Sequence, residues 1–270
     1  MRVHRAPSVT RRHPLGFFLA GGLLALFALT AGAATFTVNS TADIHDGIAG
    51  DGVCETAKDN HICTLRAAIE EANALDGADT IQLQPNATYL LSLTSSLGTN
   101  RSADLIIADS VSIAGAGIDS TIIDGNGMAT GQRVLYIIAC IRDVRDSMTS
   151  KCTFGSPTTN ISGVTIRHGM SSTYAGAIDS ESPLSLDHVK LSDNSTSDLG
   201  GGIVSFKALT IDNSIFANNS GRAGGAIYTE GPTTISNSTI SGNAAPGAGT
   251  KGGGLYLSGA DTFVVGSTIS

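Results

Sequence analysis

Residues Asn213–Asn243 read "NSIFANNSGRAGGAIYTEGPTTISNSTISGN" and say nearly the same thing twice. The word "NSIFANNS" returns as "NSTISGNA" 24 residues later. Working outward, three apolar columns emerge. The first is Ile161, Leu186, Ile211, Ile235 and Val264; the second is Ile166, Leu191, Phe216, Ile240 and Ile269. Both advance in steps of 25, 25, 24 and 29, always five residues apart. The third is Ile178, Ile203, Ile227 and Leu255, with steps of 25, 24 and 28.

Each column residue sits in a short segment rich in Ile, Val, Thr and Ser, which favours strand and is too short for helix. Three short strands per 24–25 residues, separated by Gly and Asn, describe one coil of a parallel β-solenoid. The expected fold is all-β: a right-handed parallel β-helix in which each strand pairs with its counterpart about 4.8 Å away. Buried Ile and Leu then contribute about 1.5–3 kcal/mol each. Asn194, Asn219 and Asn243 follow the second column by three residues, and Asn126 follows Ile123 likewise. Stacked at a bend, such side chains bond along the axis, so a structural Asn ladder is expected; a row of binding amides is the functional alternative.

The period runs backwards through "STIIDGNG" to Leu135 and is then delayed by "ACIRDVRDSMTSKC". That insertion carries balanced charges and reads as a solvated surface loop. The four cysteines form two close pairs, Cys54 with Cys63 and Cys140 with Cys152. In an exported chain these suggest two disulfides, each worth about 2–3 kcal/mol; a structural zinc site is the alternative, without CxxC or HxxxH spacing to support it.

Export is expected from the front of the chain. "MRVHRAPSVTRRH" is basic, "PLGFFLAGGLLALFALTAGA" is apolar, and Ala31-Gly32-Ala33 fits a signal-peptidase site. Residues 1–33 therefore read as a signal peptide for general secretion. An uncleaved anchor and a twin-arginine route through Arg11-Arg12 are the other readings. Removing the leader leaves 12 basic and 23 acidic residues, net −11. Such a chain repels nucleic acid and anionic lipid. No later segment is long and apolar enough to span a bilayer. With no Trp and few aromatics, stacking platforms are not evident.

"CTLRAAIEEANAL" differs in kind. Leu65, Ala68, Ile69 and Ala72 share one helical face, with Thr64 as N-cap and Gly77 as stop. A solenoid needs a lid over its first coil, and this helix supplies one. The stretch "FTVNSTADIHDGIAGDGVC…CTLRAAIEEANALDGADTIQL" resembles the CSLREA domain, which stands before many exported bacterial right-handed β-helix proteins. Cys63, Leu65, Arg66, Ala68 and Ile69 keep its motif; Thr64 stands for its Ser and Ala67 for its Glu, so no pairing role carries over for that carboxylate. The resemblance implies a cap at 34–83, a β-helix over 84–270 and a secreted or surface location, with no established activity. "FANN" and "GGAI" are also similar to repeats of polymorphic outer-membrane proteins, which implies adhesion. The chain ends inside a strand word, so further C-terminal coils or an anchor are expected, the other reading being a last coil that pairs with a partner.

Candidate chemistry is sparse. Asp43, Asp46, Asp51 and Glu55 crowd oxygens as a calcium site would, without EF-hand spacing, and otherwise form a solvated acidic turn. Calcium is the one cofactor entertained. Asp179, Asp187, Asp193 and Asp212 fall on successive coils, near Arg167-His168-Gly169. Paired carboxylates suit polysaccharide hydrolysis, yet Asp beside Asn and Gly is ordinary turn chemistry. No Ser stands in a GxSxG setting. The expectation is a structural or adhesive surface protein without a catalytic site, whose partner is an extracellular polysaccharide or cell-surface ligand. The alternatives are a polysaccharide lyase or glycoside hydrolase, and a carbohydrate-binding module without turnover. Stacked acids with an Arg or Lys in a cleft would favour an enzyme. A bare face of Ser, Thr and Asn would favour a scaffold or adhesin.

Overall fold

The computed structural model describes residues 32–94, 103–139, 157–247 and 249–270. The expected leader lies outside these, apart from Gly32 and Ala33 at its end. The second expected disulfide, between Cys140 and Cys152, is not described either, because Cys140 and Cys152 both lie outside the described residues. The described chain is a parallel β-helix built of three long sheets, of eight, seven and six strands. Every strand pairing is parallel and joins one coil to the next.

The columns stack as the spacing predicts. Ile161, Leu186, Ile211, Ile235 and Val264 are register partners in one file of the eight-stranded sheet. The file continues backwards through Ile113 and Ile81 to Phe36. The second column extends through Ile123 to Tyr89, and the third through Leu135 to Leu105. Strand Thr35–Thr37 is thus the first rung of the same sheet that carries Asp79–Gln82, and the 34–83 segment both caps the solenoid and begins it. A fourth short pairing, Met170–Ser171 with Ser195–Thr196, adds a small sheet to two coils.

Stacking requires identical corners. After the first strand, His188, Asn213 and Asn237 take φ of 51°, 48° and 48°, alongside Gly163 and Gly266. After the second, His168, Asp193 and Asn218 take 55°, 58° and 57°. Before the third come Gly200, Gly224 and Gly252, with Ala175 at 45°. Gly, Asn, Asp and His are the residues that tolerate the left-handed region, which explains why they punctuate the repeat. A Cβ at Gly224 would also stand 2.1 Å from the Ile227 carbonyl oxygen.

Two side-chain ladders bind the corners. Asn194 Nδ2 donates to Asn219 Oδ1 (2.9 Å), and Asn219 Nδ2 donates to Asn243 Oδ1 (3.0 Å). Each amide also donates inward, to the carbonyls of Ile166, Leu191 and Phe216. Asn126 stands apart, because the intervening coil has Gly169 at that position; its amide donates to Leu91. Gly169 N–H instead caps the file on Asn194 Oδ1 at 2.9 Å. Ser214, Ser238 and Ser267 form a second ladder, each hydroxyl accepting from an N–H one coil away at 3.1 Å.

The lid is helix Leu65–Ala74, N-capped by Thr64, whose Oγ1 accepts from Ala67 N–H. It ends before Gly77, with Leu75 as C-cap. Leu65, Ala68, Ile69 and Ala72 close over the core. The helix also satisfies the edge strand Leu105–Ile107. Asn73 Nδ2 donates to Ile106 O (2.7 Å), and Asn73 Oδ1 accepts from Ala108 N–H (2.8 Å). Arg66 is buried and donates to the Ala103 and Asp104 carbonyls and to Asp43 Oδ1 (2.6 Å). Asp43 Oδ2 accepts from Ser92 and Leu93 N–H. Burial opposes the Asp43 charge, but Arg66 and these amides outweigh it and hold its carboxyl below the usual range. The Cys54–Cys63 disulfide ties the acidic loop to the helix start. Of the two disulfides expected from the sequence, it is the one that falls among the described residues; Cys140 and Cys152 do not.

Two outcomes follow. Ile211→Ala, in mid-column and fully buried, should cost about 2–5 kcal/mol. Val264→Ala, 39% exposed on the last rung, should cost much less in the same denaturant titration. Arg66→Ala should cost about 3–5 kcal/mol by stranding Asp43 and two carbonyls. Arg66→Lys, a point charge replacing a planar fork, should recover only part of that in thermal melts.

Candidate functional site

The four carboxylates of the acidic loop do not converge. Asp43 is paired with Arg66. Asp46 accepts from Ile48 and Glu55 N–H, Asp51 from Val53 N–H, and Glu55 from Asp59 N–H. The last three are occupied in shaping the loop itself, while Asp43 fastens it to Arg66, Ser92 and Leu93. Among the described residues no group of three or more His, Cys, Asp or Glu is placed to hold a metal ion. Glu71, unremarked in the sequence, is fully buried beneath this loop and accepts from Gly50 (2.6 Å) and Gly52 N–H. Burial raises its carboxyl above the ordinary range.

The Arg167-His168 pair meets Asp124 from the coil before. Arg167 Nε donates to Asp124 Oδ2 at 2.8 Å, and His168 Nδ1 lies 3.1 Å from the same oxygen. Asp124 and His168 edge a cleft of about 470 Å³ that is also lined by Met128, Met170 and Asp193. Burial works against the Asp124 charge; Arg167, the Asn126 backbone N–H and His168 prevail, and its carboxyl lies below the usual range. Asp124 is therefore an ionised, tethered group, suited to fixing Arg167 and His168 and unsuited to donating a proton near neutrality.

Of the remaining candidates, Asp187 and Asp212 are brought together as register partners on adjacent rungs, and Asn213 Nδ2 donates to both, at 3.2 and 2.9 Å. Asp187 also contacts His188 Nδ1 at 2.8 Å, and Asp212 accepts from Ser236 and Asn237. Asp193 accepts from Asn218 at 3.3 Å. All three serve corners. Asp179 is different: it lies on the outer side of the six-stranded sheet, yet is only 3% exposed. Arg133 bridges it to Asp104, the latter at 3.2 Å, and lies 4.8 Å from the Tyr136 ring centroid. The Tyr136 hydroxyl donates to Glu181 at 2.8 Å. Burial pushes the Asp179 carboxyl up to about 6, Arg133 opposing and the Glu181 and Asp104 charges adding to the rise.

Along the same outer face, one, two and three rungs on, stand Val204, Tyr228 and Tyr256 in register. The two tyrosine rings are parallel within 1°, with centroids 5.0 Å apart. Tyr174 packs edge-on to Phe206 nearby, at 5.8 Å. Few aromatics overall thus still yield a local aromatic surface, because the coil brings residues from distant repeats to one face.

Asp179 binds more protons folded than unfolded between its ordinary pKa near 3.8 and about 6. Its contribution to stability is therefore largest below pH 4 and declines as pH rises through 6. Asp179→Asn should gain on the wild type across that window, by on the order of 2 kcal/mol, in melts run from pH 4 to 7. A constant difference across the window would contradict this.

Comparison with known proteins returned no match: no family model, no curated protein and no solved structure aligns with the chain.

Proposed function

We propose that the chain is an exported β-helix with a structural or adhesive role at a bacterial cell surface, and that its coils present a binding face in place of a reaction centre. The observation that carries this is the outer side of the eight-stranded sheet. Thr35, Thr80, Ser112, Asn160, Ser185, Thr210 and Thr234 form one register file there, one hydroxyl or amide on each of seven rungs, with Phe263 on the eighth. Its members are exposed or half-buried. A flat, uncharged, repeating polar file suits contact with an extended surface and carries no group able to move a proton at neutral pH.

The Cys54–Cys63 disulfide, the leader-like residues 1–33 and the CSLREA resemblance support the extracellular location. The described residues hold no helix long and apolar enough to cross a membrane.

The enzymatic alternative, hydrolysis or lysis of an extracellular polysaccharide, is favoured by one feature, the cleft that gathers Asp124, His168 and Asp193. Against it, a hydrolase needs one carboxyl raised to serve as acid, and Asp124 is lowered. The purified chain incubated with acidic and neutral polysaccharides should release no reducing ends and no unsaturated product. Antibody labelling of intact producing cells should find it outside. Product that disappears in Asp124→Asn and Asp193→Asn would replace the adhesive reading with the enzymatic one.

A further inference from the structure

A carboxylate stands on the inner side of the eight-stranded sheet at its second rung. Asp79 is the register partner of Val111, and the file continues through Thr159, Leu184 and Leu209. All five are buried, Asp79 to 1% exposure. Its Oδ1 accepts from the Ala34 N–H at 2.7 Å. Its Oδ2 is buried and has no hydrogen-bond partner among the described residues. One neutral N–H does not compensate a buried carboxylate, which needs an opposite charge and donors for both oxygens. Ala34 is fixed independently of this contact. Thr35 pairs with Thr80, which sets Ala34 opposite Asp79 on the first rung. The Ala34 carbonyl accepts from Thr80 N–H at 2.8 Å, and its side chain packs against the core. Gly32 and Ala33 are exposed and lie beside Gly77, where a Cβ would stand 3.5 Å from Ala33 N.

The nitrogen that meets Asp79 is the one that a signal-peptidase cut after Ala33 would free. We propose that Asp79 is the receptor for the α-ammonium of a mature chain beginning at Ala34. The proposal rests on the export reading and adds to it an ion pair made only by processing. Hydrolysis adds water across the Ala33–Ala34 bond. Ala33 leaves as a carboxylate, and the Ala34 nitrogen departs as an amine. That amine takes up a proton, its ordinary pKa being about 7.7–8.0. A neutral N–H is thereby replaced, at the same place, by a cation with donors enough for Oδ1 and Oδ2 together. The uncut chain keeps an uncompensated carboxylate inside its second rung. Removal of the leader supplies the missing charge and pins the strand Thr35–Thr37 at its first residue. The precursor is then the less stable form, and the fold reaches full stability after the chain has left the cell.

The test begins with the intact mass of the protein exported by the producing cell, which should place its first residue at Ala34. Chain 34–270, released from a removable fusion with a free α-amine, is then titrated with denaturant at pH 7. Two controls are run beside it: the same chain N-acetylated, and a chain that keeps Gly32 and Ala33. The free Ala34 form should exceed both by about a hundredfold or more in its folding equilibrium constant, the loss typical of breaking a buried ion pair. Asp79→Asn, which removes the charge and keeps the shape, should erase that difference. If Asp79→Asn does not fold, the α-amine itself supplies the reading. An opposite charge raises an amine's pKa by about one unit or more, so at pH 7 the native α-amine should acylate about tenfold more slowly than that of a peptide of residues 34–40. Equal stability of the three chains, or an α-amine as reactive as the peptide's, overturns the proposal and leaves export standing. A first residue other than Ala34 on the exported protein overturns the pairing together with the cut after Ala33. A chain retained inside the cell with its leader overturns the pairing and the export reading together.

Discussion

Axial pairing of each strand with its own repeat governs this molecule. A parallel rung gives every backbone N–H and C=O a partner one coil away, and it does so only if the coils have the same outline. The outline is set at the corners, where His188, Asn213 and Asn237, or His168, Asp193 and Asn218, occupy the left-handed region in register. Once the corners coincide, like side chains fall on like. The core becomes a file such as Leu186, Ile211 and Ile235, and polar corners become the Asn194–Asn219–Asn243 and Ser214–Ser238–Ser267 ladders. A slip of one residue would turn each file out to solvent, so the hydrophobic pattern and the corner residues enforce the same register.

A stacked fold has an exposed first rung, and the cap answers that with specific bonds as well as apolar cover. Asn73 imitates a strand neighbour for Ile106 and Ala108, and Arg66 takes the two carbonyls just upstream. Asp43 neutralises Arg66 and also holds the chain at Ser92 and Leu93. The motif arginine is therefore a fastening between the lid, its loop and the first coil. Ala67, where the resembled motif has Glu, is fully buried, a position that an unpaired carboxylate could occupy only at high cost.

What the sequence disclosed follows from what repeats. The columns were legible because five-residue offsets and 24–25-residue steps survive in the linear chain, and Thr64 announced the helix because capping is local. The strand Thr35–Thr37 was hidden as a rung, because the whole cap is inserted between it and its partner at Thr80–Gln82. The Arg133 cluster was invisible for a related reason: Arg133 and Asp179 are 46 residues apart, and nothing in the repeat marks Arg133 as a partner for that acid. Asn126 carries the ladder's word without its neighbour, since Gly169 replaces the next amide. The tyrosine pair escaped because composition counts residues over the chain, whereas a solenoid concentrates them on a face.

The same stacking decides where chemistry can reside. An acid placed at a corner meets amides and hydroxyls from the coil beside it and from its own turn, as Asp212 meets Ser236 and Asn237 of the next coil and Asn213 of its own. Such a carboxylate is consumed in holding the outline, and its hydrogen bonds keep it ionised. Outward strand positions are free of that duty, and residues there are displayed at the rung interval. A coil of this kind therefore spends its acids on architecture and offers its hydroxyls, amides and tyrosines to the outside.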